Sequence, residues 1–300
     1  MKLSVVIPTY NCGGTIKDAI DSLFNQSISE DYEVIVVDDA SNDDTETNCG
    51  GYSHRKNFHY IRLNKRLGAS RARNVGLKNA KGEIVAFTDA DCIPTKYWIQ
   101  EMSEAFKKNK KAAGVGGRVI YDMPAYLTTI RDRLNLSFGV NQMSEGDMVE
   151  MYATANIGYK KSVLDKVGGF DEGYLRGEDF ELAFRILELN VGDIVFDKEL
   201  IVFHAAVKYG RDWRLLFRHA TMKKFILEQA ILKGRFQSLF WGRIFLPNDL
   251  LTIFAPPILL LTQRYKSIWD LFFLPLFYIT KCYERIVIWE TAIKYGRFIV

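Results

Sequence analysis

The sequence predicts an α/β fold in which a mostly parallel sheet carries helices on both faces. Three observations predict it: short β-branched apolar runs, helical periodicity between them, and polar residues directly after the runs. The 300-residue chain is 48% apolar and 25% charged, a globular composition with enough material for a large core. Disordered chains, collagen-like repeats and disulfide-stapled miniproteins are therefore excluded.

A βαβ unit is predicted at the start of the chain. Residues 3–7 and 33–37 are short β-branched runs typical of strands, and residues 14–25 between them repeat apolar side chains at helical spacing. The alternation continues, with strands predicted at 58–62, 83–88 and 115–120 and helices at 68–80 and 95–107. Ligands of such a sheet bind beyond the carboxyl ends of its strands, so we expect the site there.

Carboxylates follow two of the predicted strands. Asp89 and Asp91 come after the 83–88 strand, and in extended chain residues i and i+2 point to one side. Both can then converge on one Mg²⁺ or Mn²⁺ ion, whose shell substrate phosphates complete. The alternative is a solvated turn whose aspartates cap a helix. Asp38-Asp39 holds the matching position after the second strand, where one carboxylate could accept hydrogen bonds from a nucleobase or ribose.

Phosphates would have to be held by a metal ion and by basic side chains in this protein. The sequence contains neither of the glycine-rich phosphate-binding patterns, G-x-G-x-x-G and G-x-x-x-x-G-K-[ST]. Arg71 and Arg73 lie near the start of the predicted 68–80 helix and suit phosphate binding. The alternative is that both are ordinary surface arginines.

A second carboxylate site opens a later helix. Glu178 and Asp179 follow Gly177 at the start of a helical pattern, so a carboxylate there could take a proton from an acceptor hydroxyl. The alternative is a pair of acids that only favour the helix dipole. The expected buried stripe of this helix consists of Phe180, Ala183, Phe184 and Leu187.

Histidine and cysteine residues add one possible ligand. His204 follows residues 201–203, the predicted end of a strand, where it is either a structural residue or a third metal ligand. The four cysteines lack zinc-ligand spacing and are expected to be the reduced thiols of a cytosolic protein: Cys12, Cys49, Cys92 and Cys282.

The last 70 residues differ in composition from the rest. Residues 231–300 hold nine Lys/Arg against four Asp/Glu and 15 of the 40 aromatic residues, as membrane interfaces require. We therefore predict a catalytic domain at 1–230 and a helical membrane-associating region at 231–300. The apolar runs 250–261 and 268–279 fall short of the ~20 residues of a straight spanning helix. A re-entrant or surface-lying hairpin is expected, and a second soluble subdomain or a dimerisation face is the alternative.

Six motifs then stand in a distinctive order. They are VVIPTYN (5–11), VVDDASND (36–43), GASRARNVGL (68–77), FTDAD (87–91), GGFDE (168–172) and GED (177–179). With them, the chain resembles the inverting nucleotide-sugar glycosyltransferases of glycosyltransferase family 2, which have a GT-A fold, across residues 1–225.

The resemblance implies a set of site residues. The donor, a nucleoside diphosphate sugar, would contact Pro8, Thr9, Tyr10, Asp39, Arg71, Asp89 and Ala90. Mn²⁺ or Mg²⁺ would be bound by Asp89, Asp91 and His204. Asp179 would be the catalytic base, with Glu178 beside it.

The mode of transfer and the partners are predicted more coarsely. The Gln-x-x-Arg-Trp signature of processive synthases is absent, because residues 218–225 read RHATMKKF, so single addition to a glycan or polyprenyl-linked acceptor is expected. Residues 3–7 are too short for an export signal, which predicts a site on the cytoplasmic side of the cell membrane. Nucleic acid is not expected as a partner, whereas an oligomer is possible. The alternatives are a non-catalytic sugar-nucleotide-binding scaffold and a sugar nucleotidyltransferase.

Overall fold

The computed structural model describes residues 2–27, 31–121, 153–174 and 177–204, together with single helical positions at Ile279, Cys282, Tyr283, Ile286 and Glu290. The chain divides into two compact units. Met1–Asp122 and Val140–Ala206 form the first unit, and Met123–Gly139 and Val207–Val300 form the second. The domain boundary near residue 230 stays a prediction. The elements described below all lie in the first unit.

The strands and helices alternate over most of this unit. The strands are β1 (Leu3–Thr9), β2 (Tyr32–Asp38), β3 (Phe58–Arg62), β4 (Ile84–Phe87), β5 (Cys92–Pro94), β6 (Ala112–Tyr121), β7 (Ile157–Lys160) and β8 (Asp193–His204). The helices are α1 (Ile16–Phe24), α2 (Thr45–Gly50), α3 (Ala69–Asn79), α4 (Trp98–Lys108), α5 (Lys161–Val167) and α6 (Glu178–Glu188).

One sheet contains all of these strands, in the order β3-β2-β1-β4-β7-β6-β8-β5. The four strands from β3 to β4 are parallel to their neighbours. Beyond β4 the sheet is mixed, because β7 and β5 run antiparallel to their partners while β6 and β8 are parallel. The predicted α/β class with flanking helices is confirmed. The sequence pattern missed α2, β5, β7 and α5, which are too short for a visible periodicity.

The sheet is buried on both faces, and β1 shows how. Val5 and Ile7 pack in the core layer that contains α1 and α4 residues, whereas Val6 packs in the layer on the opposite face. A Cβ added at Gly76 of α3 would lie 2.3 Å from a Val6 methyl carbon. The backbone of α3 therefore lies directly on β1, and the sheet fixes the position of this helix.

The buried face of α6 differs from the prediction. Phe180 and Phe184 are only partly buried and Leu187 is 40% exposed, whereas the buried residues are Glu181, Leu182, Ala183 and Ile186. The helix carries apolar residues on more than one face, so periodicity alone could not select the stripe. Burial of Glu181 is compensated by Arg185, whose Nη2 lies 2.6 Å from Glu181 Oε2.

The predicted membrane-associating segments are outside the described residues. Of the apolar runs 250–261 and 268–279, only Ile279 is described, in helical conformation. None of the helices in the described part of the chain has both the length and the apolar character needed to cross a bilayer.

Candidate functional site

The site lies at the carboxyl edge of the parallel half of the sheet. Because β2, β1 and β4 are parallel neighbours, the segments that follow them meet at one edge. These segments carry Asp39 after β2, Tyr10 after β1 and Asp89 after β4. The sequence expectation that these polar positions share an edge is thus met by the topology.

Asp39 ties this edge to the start of α3. Its Oδ1 accepts a hydrogen bond from the Leu67 N–H at 2.6 Å, and its Oδ2 accepts one from the Gly68 N–H at 2.7 Å. The Asp39 N–H donates to the Thr9 carbonyl at 2.8 Å. Asp39 is buried, and the carboxylate oxygens keep further lone pairs for a nucleobase or ribose donor.

The other residues predicted around the nucleoside lie along the end of β1. Pro8 and Thr9 are the last residues of this strand, and Thr9 Oγ1 is buried without a hydrogen-bond partner in the described chain. The Arg66 guanidinium stacks 4.1 Å from the centre of the Tyr10 ring. The unpaired buried hydroxyl of Thr9 could accept or donate a hydrogen bond that a ligand supplies.

A candidate metal centre follows β4. Asp89, Asp91, Cys92 and His204 each present a ligand atom, and these atoms all lie within 4.8 Å of one another. Antiparallel pairing of β5 with β8 sets Cys92 opposite His204, and His204 Nε2 lies 3.5 Å from Asp91 Oδ1. Ala90 is buried between the two aspartates in sequence.

The donor atoms at this centre fit a hard divalent cation. Burial, reinforced by Asp89 and Asp91, raises the pKa of the Cys92 thiol, and a soft sulfur ligand does not suit Mg²⁺ or Mn²⁺. Burial also raises the pKa of Asp91; the repulsion of Asp89 acts in the same direction, whereas His204 lowers it. Two carboxylates and an imidazole remain as ligands, a set that suits Mn²⁺ or Mg²⁺ with substrate oxygens.

Arg73 joins this centre to the start of α6. Its Nη2 donates to Asp89 Oδ1 at 3.0 Å, and its Nη1 donates to Glu178 Oε1 at 2.7 Å. The arginine side chain is only 5% exposed. The acids after β4 and the acids that open α6 are therefore neighbours across one buried guanidinium.

Asp179 has the electrostatic properties of a proton acceptor. Burial, with repulsion from Glu178, raises the pKa of Asp179 to about 7, although the Arg73 charge opposes this shift. A carboxylate whose pKa lies near neutral pH is well suited to general base catalysis. Its Oδ1 accepts a hydrogen bond from the Phe180 N–H at 2.9 Å.

Arg71 has a different environment from Arg73. Its Nη1 lies 2.9 Å and 3.0 Å from the two carboxylate oxygens of Glu172, and this contact is exposed. In the structure it braces the segment before α6. Its predicted contact with the donor stays a prediction.

Comparison with known proteins identifies the family. The profile of Glycosyl transferase family 2 matches residues 4–168, more than half of the chain. The chain belongs to glycosyl transferase family 2.

Relatives and solved structures agree with this family. Glycosyltransferase AglE of Haloferax volcanii is 28% identical over 252 residues, which are 82% of either chain. The poly(ribitol-phosphate) β-N-acetylglucosaminyltransferase TarP of Staphylococcus aureus is 31% identical over 171 residues, covering 55% of this chain and 50% of TarP. The structure of the mannosyltransferase PcManGT of Pyrobaculum calidifontis with GDP-Man and Mn²⁺ has a TM-score of 0.66 at 19% identity, covering 98% and 86% of the two chains.

Family membership decides two of the predictions. The protein is a glycosyltransferase, and its α/β sheet matches the GT-A structures of the family. Some relatives are much longer, since the chain covers 32% of the chondroitin synthase of Escherichia coli, with 27% identity.

The sequence did not reveal all of the contacts in the site. The pairing of Arg73 with Asp89 and Glu178 depends on the packing of α3 beside α6, for which no local pattern exists. Cys92 follows Asp91 directly, and that adjacency was the one signal for its presence in the centre.

Proposed function

We propose that this family 2 enzyme transfers one sugar from a nucleoside diphosphate donor to an acceptor hydroxyl, with inversion at the anomeric carbon. The observation that carries the proposal is the pair of hydrogen bonds by which Arg73 joins Asp89 of the candidate metal centre to Glu178 at the start of α6. A donor site and a proton acceptor that lie side by side are what a single displacement requires.

In the proposed reaction, Asp179 takes the proton of the acceptor hydroxyl. The acceptor oxygen forms a bond to the anomeric carbon while the bond from that carbon to the diphosphate oxygen breaks. The nucleoside diphosphate leaves on the opposite face, which inverts the configuration. The raised pKa of Asp179 lets it accept the proton near neutral pH and release it to solvent afterwards.

Donor binding is assigned to the carboxyl edge of β1 and β2. Asp39 would accept hydrogen bonds from the nucleoside, and Thr9 Oγ1, which lacks a partner in the described chain, would bond to it. Asp89, Asp91 and His204 would hold Mn²⁺ or Mg²⁺. When bound, such an ion neutralises the departing diphosphate. The structure of TarS of S. aureus, a solved structural neighbour, was determined with UDP-GlcNAc, which supports a nucleotide sugar as the donor.

The proposed acceptor and cellular location rest on the composition of residues 231–300. Their basic and aromatic content supports attachment to the cytoplasmic side of the cell membrane, with a glycan or polyprenyl-linked acceptor. Flotation of the full-length protein with anionic liposomes tests this part. Recovery in the soluble fraction, with no protein at the lipid interface, would refute membrane attachment and leave the transfer chemistry unaffected.

The central experiment compares the wild-type protein with Asp179→Asn. Thermal-shift measurements with UDP-GlcNAc, GDP-mannose and other nucleotide sugars in Mn²⁺ first select the donor. We expect Asp179→Asn to lose at least ~10²-fold in release of the nucleoside diphosphate while binding this donor as wild type does, since it lacks only the proton acceptor. Turnover near the wild-type rate in this variant would exclude Asp179 as the base.

The phosphate product separates this function from its enzymatic alternative. A sugar nucleotidyltransferase shares the α/β sheet and the metal carboxylates, but it exchanges pyrophosphate. Glycosyl transfer releases a nucleoside diphosphate instead. Detection of pyrophosphate as the product would therefore replace the proposed reaction.

A further inference from the structure

We infer that Arg73 is a positioning residue for glycosyl transfer, which holds the Glu178–Asp179 pair in place relative to Asp89. The inference rests on the proposed function, because it concerns how the proposed base is oriented toward the donor. It gives Arg73 a role within the protein, in contrast to the phosphate contact that the sequence suggested.

The contacts of Arg73 use both of its terminal nitrogens. One is 3.0 Å from Asp89, in the segment after β4, and the other is 2.7 Å from Glu178, the first residue of α6. A planar guanidinium presents its N–H groups in a fixed fork, so it sets the direction as well as the distance between two carboxylates. Lysine has one ammonium group on a flexible stem and cannot impose that geometry.

Burial makes these contacts strong. Arg73 is 5% exposed and Glu178 13% exposed as side chains, so water competes little for the hydrogen bond between them, whereas Asp89 is 30% exposed. The guanidinium carbon also lies 5.7 Å from the centre of the Phe170 ring. The arginine is therefore confined by packing as well as by charge.

Asp179 depends on this anchor for its orientation. Its carboxylate accepts a hydrogen bond from the N–H of the adjacent Phe180, within the same helical turn. Its direction thus follows the first turn of α6, and the Glu178 side chain is the point where that turn is bonded to α3. Loss of Arg73 would free this turn to move relative to the candidate metal centre.

A second set of bonds keeps the neighbouring segment folded without Arg73. The Asn74 side-chain amide both donates to the Phe170 carbonyl and accepts from the Phe170 N–H, each at 2.8 Å. The hydroxyl of Ser70 donates to the Tyr174 carbonyl at 3.3 Å. These contacts also come from α3, so we expect substitution of Arg73 to alter the orientation of α6 more than the fold.

The test compares Arg73→Met and Arg73→Lys with a matched control, Arg55→Met. Arg55 is exposed and its guanidinium stacks on the ring of Phe24. It lies just before the first residue of β3, whereas the site lies at the carboxyl ends of the parallel strands. Release of UDP from UDP-GlcNAc or GDP from GDP-mannose, whichever donor wild type uses, is measured with Mn²⁺. Donor Kd is measured separately by titration calorimetry.

We expect Arg73→Met to lower kcat by about 10²-fold, because small displacements of a catalytic group have effects of that size. Donor Kd should change by less than ~5-fold, and Arg55→Met should keep the wild-type kcat. Should Arg73→Met fail to fold, Arg73→Lys replaces it, with an expected loss in kcat of at least ~10-fold. A wild-type kcat in these variants, or a loss confined to donor Kd, would overturn the inference.

A double-mutant cycle checks that Arg73 acts through Glu178. If it does, the double variant Arg73→Lys/Glu178→Gln should have about the same kcat as the less active of the two single variants. Fully additive losses would contradict the positioning role. The proposed function fails separately, when Asp179→Asn turns over as wild type does; an inactive Asp179→Asn with fully active Arg73 variants overturns only this inference.

Discussion

Replacement of Asp179 by asparagine should stabilise the folded protein at alkaline pH. The pKa of Asp179 rises from 3.8 to about 7 in the folded state, with burial as the main cause. A raised carboxyl pKa means that the folded state resists deprotonation, so ionisation of Asp179 destabilises the fold. This penalty is absent below the unfolded pKa and is reached in full once the pH exceeds the folded value.

The magnitude follows from the size of the shift. Three pKa units correspond to at most about 4 kcal/mol, because each unit is 1.36 kcal/mol. Asp179 is partly exposed, and solvent screening reduces this figure to about 2 kcal/mol. In a domain of this size about 2 kcal/mol shifts Tm by roughly 4 to 8 °C. We therefore expect Asp179→Asn to melt several degrees above wild type at pH 9, and only about a third as far above it at pH 5, where the pH is little above the unfolded pKa.

The assay is thermal unfolding of both proteins from pH 5 to pH 9 in EDTA, which prevents metal binding by the neighbouring acids. The control is Asp165→Asn, whose side chain is 56% exposed and forms a surface ion pair with Lys161. That variant should not gain stability as the pH rises. An Asp179→Asn protein that melts at or below wild type at pH 9, or a difference independent of pH, would refute the reasoning.

Three further outcomes are expected. The rate of glycosyl transfer should fall with unit slope as the pH drops below the pKa of Asp179, which bound Mn²⁺ moves below its metal-free value of about 7; a profile that stays flat down to pH 4 would argue against Asp179 as the base. EDTA should abolish transfer and Mn²⁺ restore it, with a higher Mn²⁺ requirement in His204→Ala because one of the clustered ligand atoms is lost; equal Mn²⁺ titrations would remove His204 from the centre. Gly169→Ala should lower unfolding stability by about 1 to 3 kcal/mol, because φ is +69° and the new Cβ would lie 2.6 Å from Asn74 Oδ1; an unchanged denaturation midpoint would show that α3 does not depend on this close approach.

The sequence predicts well what depends on local pattern. The strands of the parallel half have clear apolar runs, and β3 was predicted at its observed bounds. Since parallel strands end at one edge, Asp39 and Asp89 could be placed together without coordinates. The buried face of α6 could not be predicted from the sequence, because it depends on the inward pairing of Glu181 with Arg185. Such choices depend on tertiary contacts that leave no local pattern.

The charge balance of the site gives a reason for a cation that is independent of family resemblance. Asp89, Glu178 and Asp179 lie around Arg73, and Asp91 is clustered with Asp89, so one positive charge stands against as many as four negative ones. A nucleoside diphosphate adds further negative charge, and repulsion in this partly buried setting would oppose its entry. A divalent ion at Asp89 and Asp91 reverses the local sign and also favours ionisation of the nearby base. Donor affinity should therefore fall steeply without Mn²⁺; calorimetry that finds the same donor Kd in EDTA would mean that other basic groups neutralise the diphosphate.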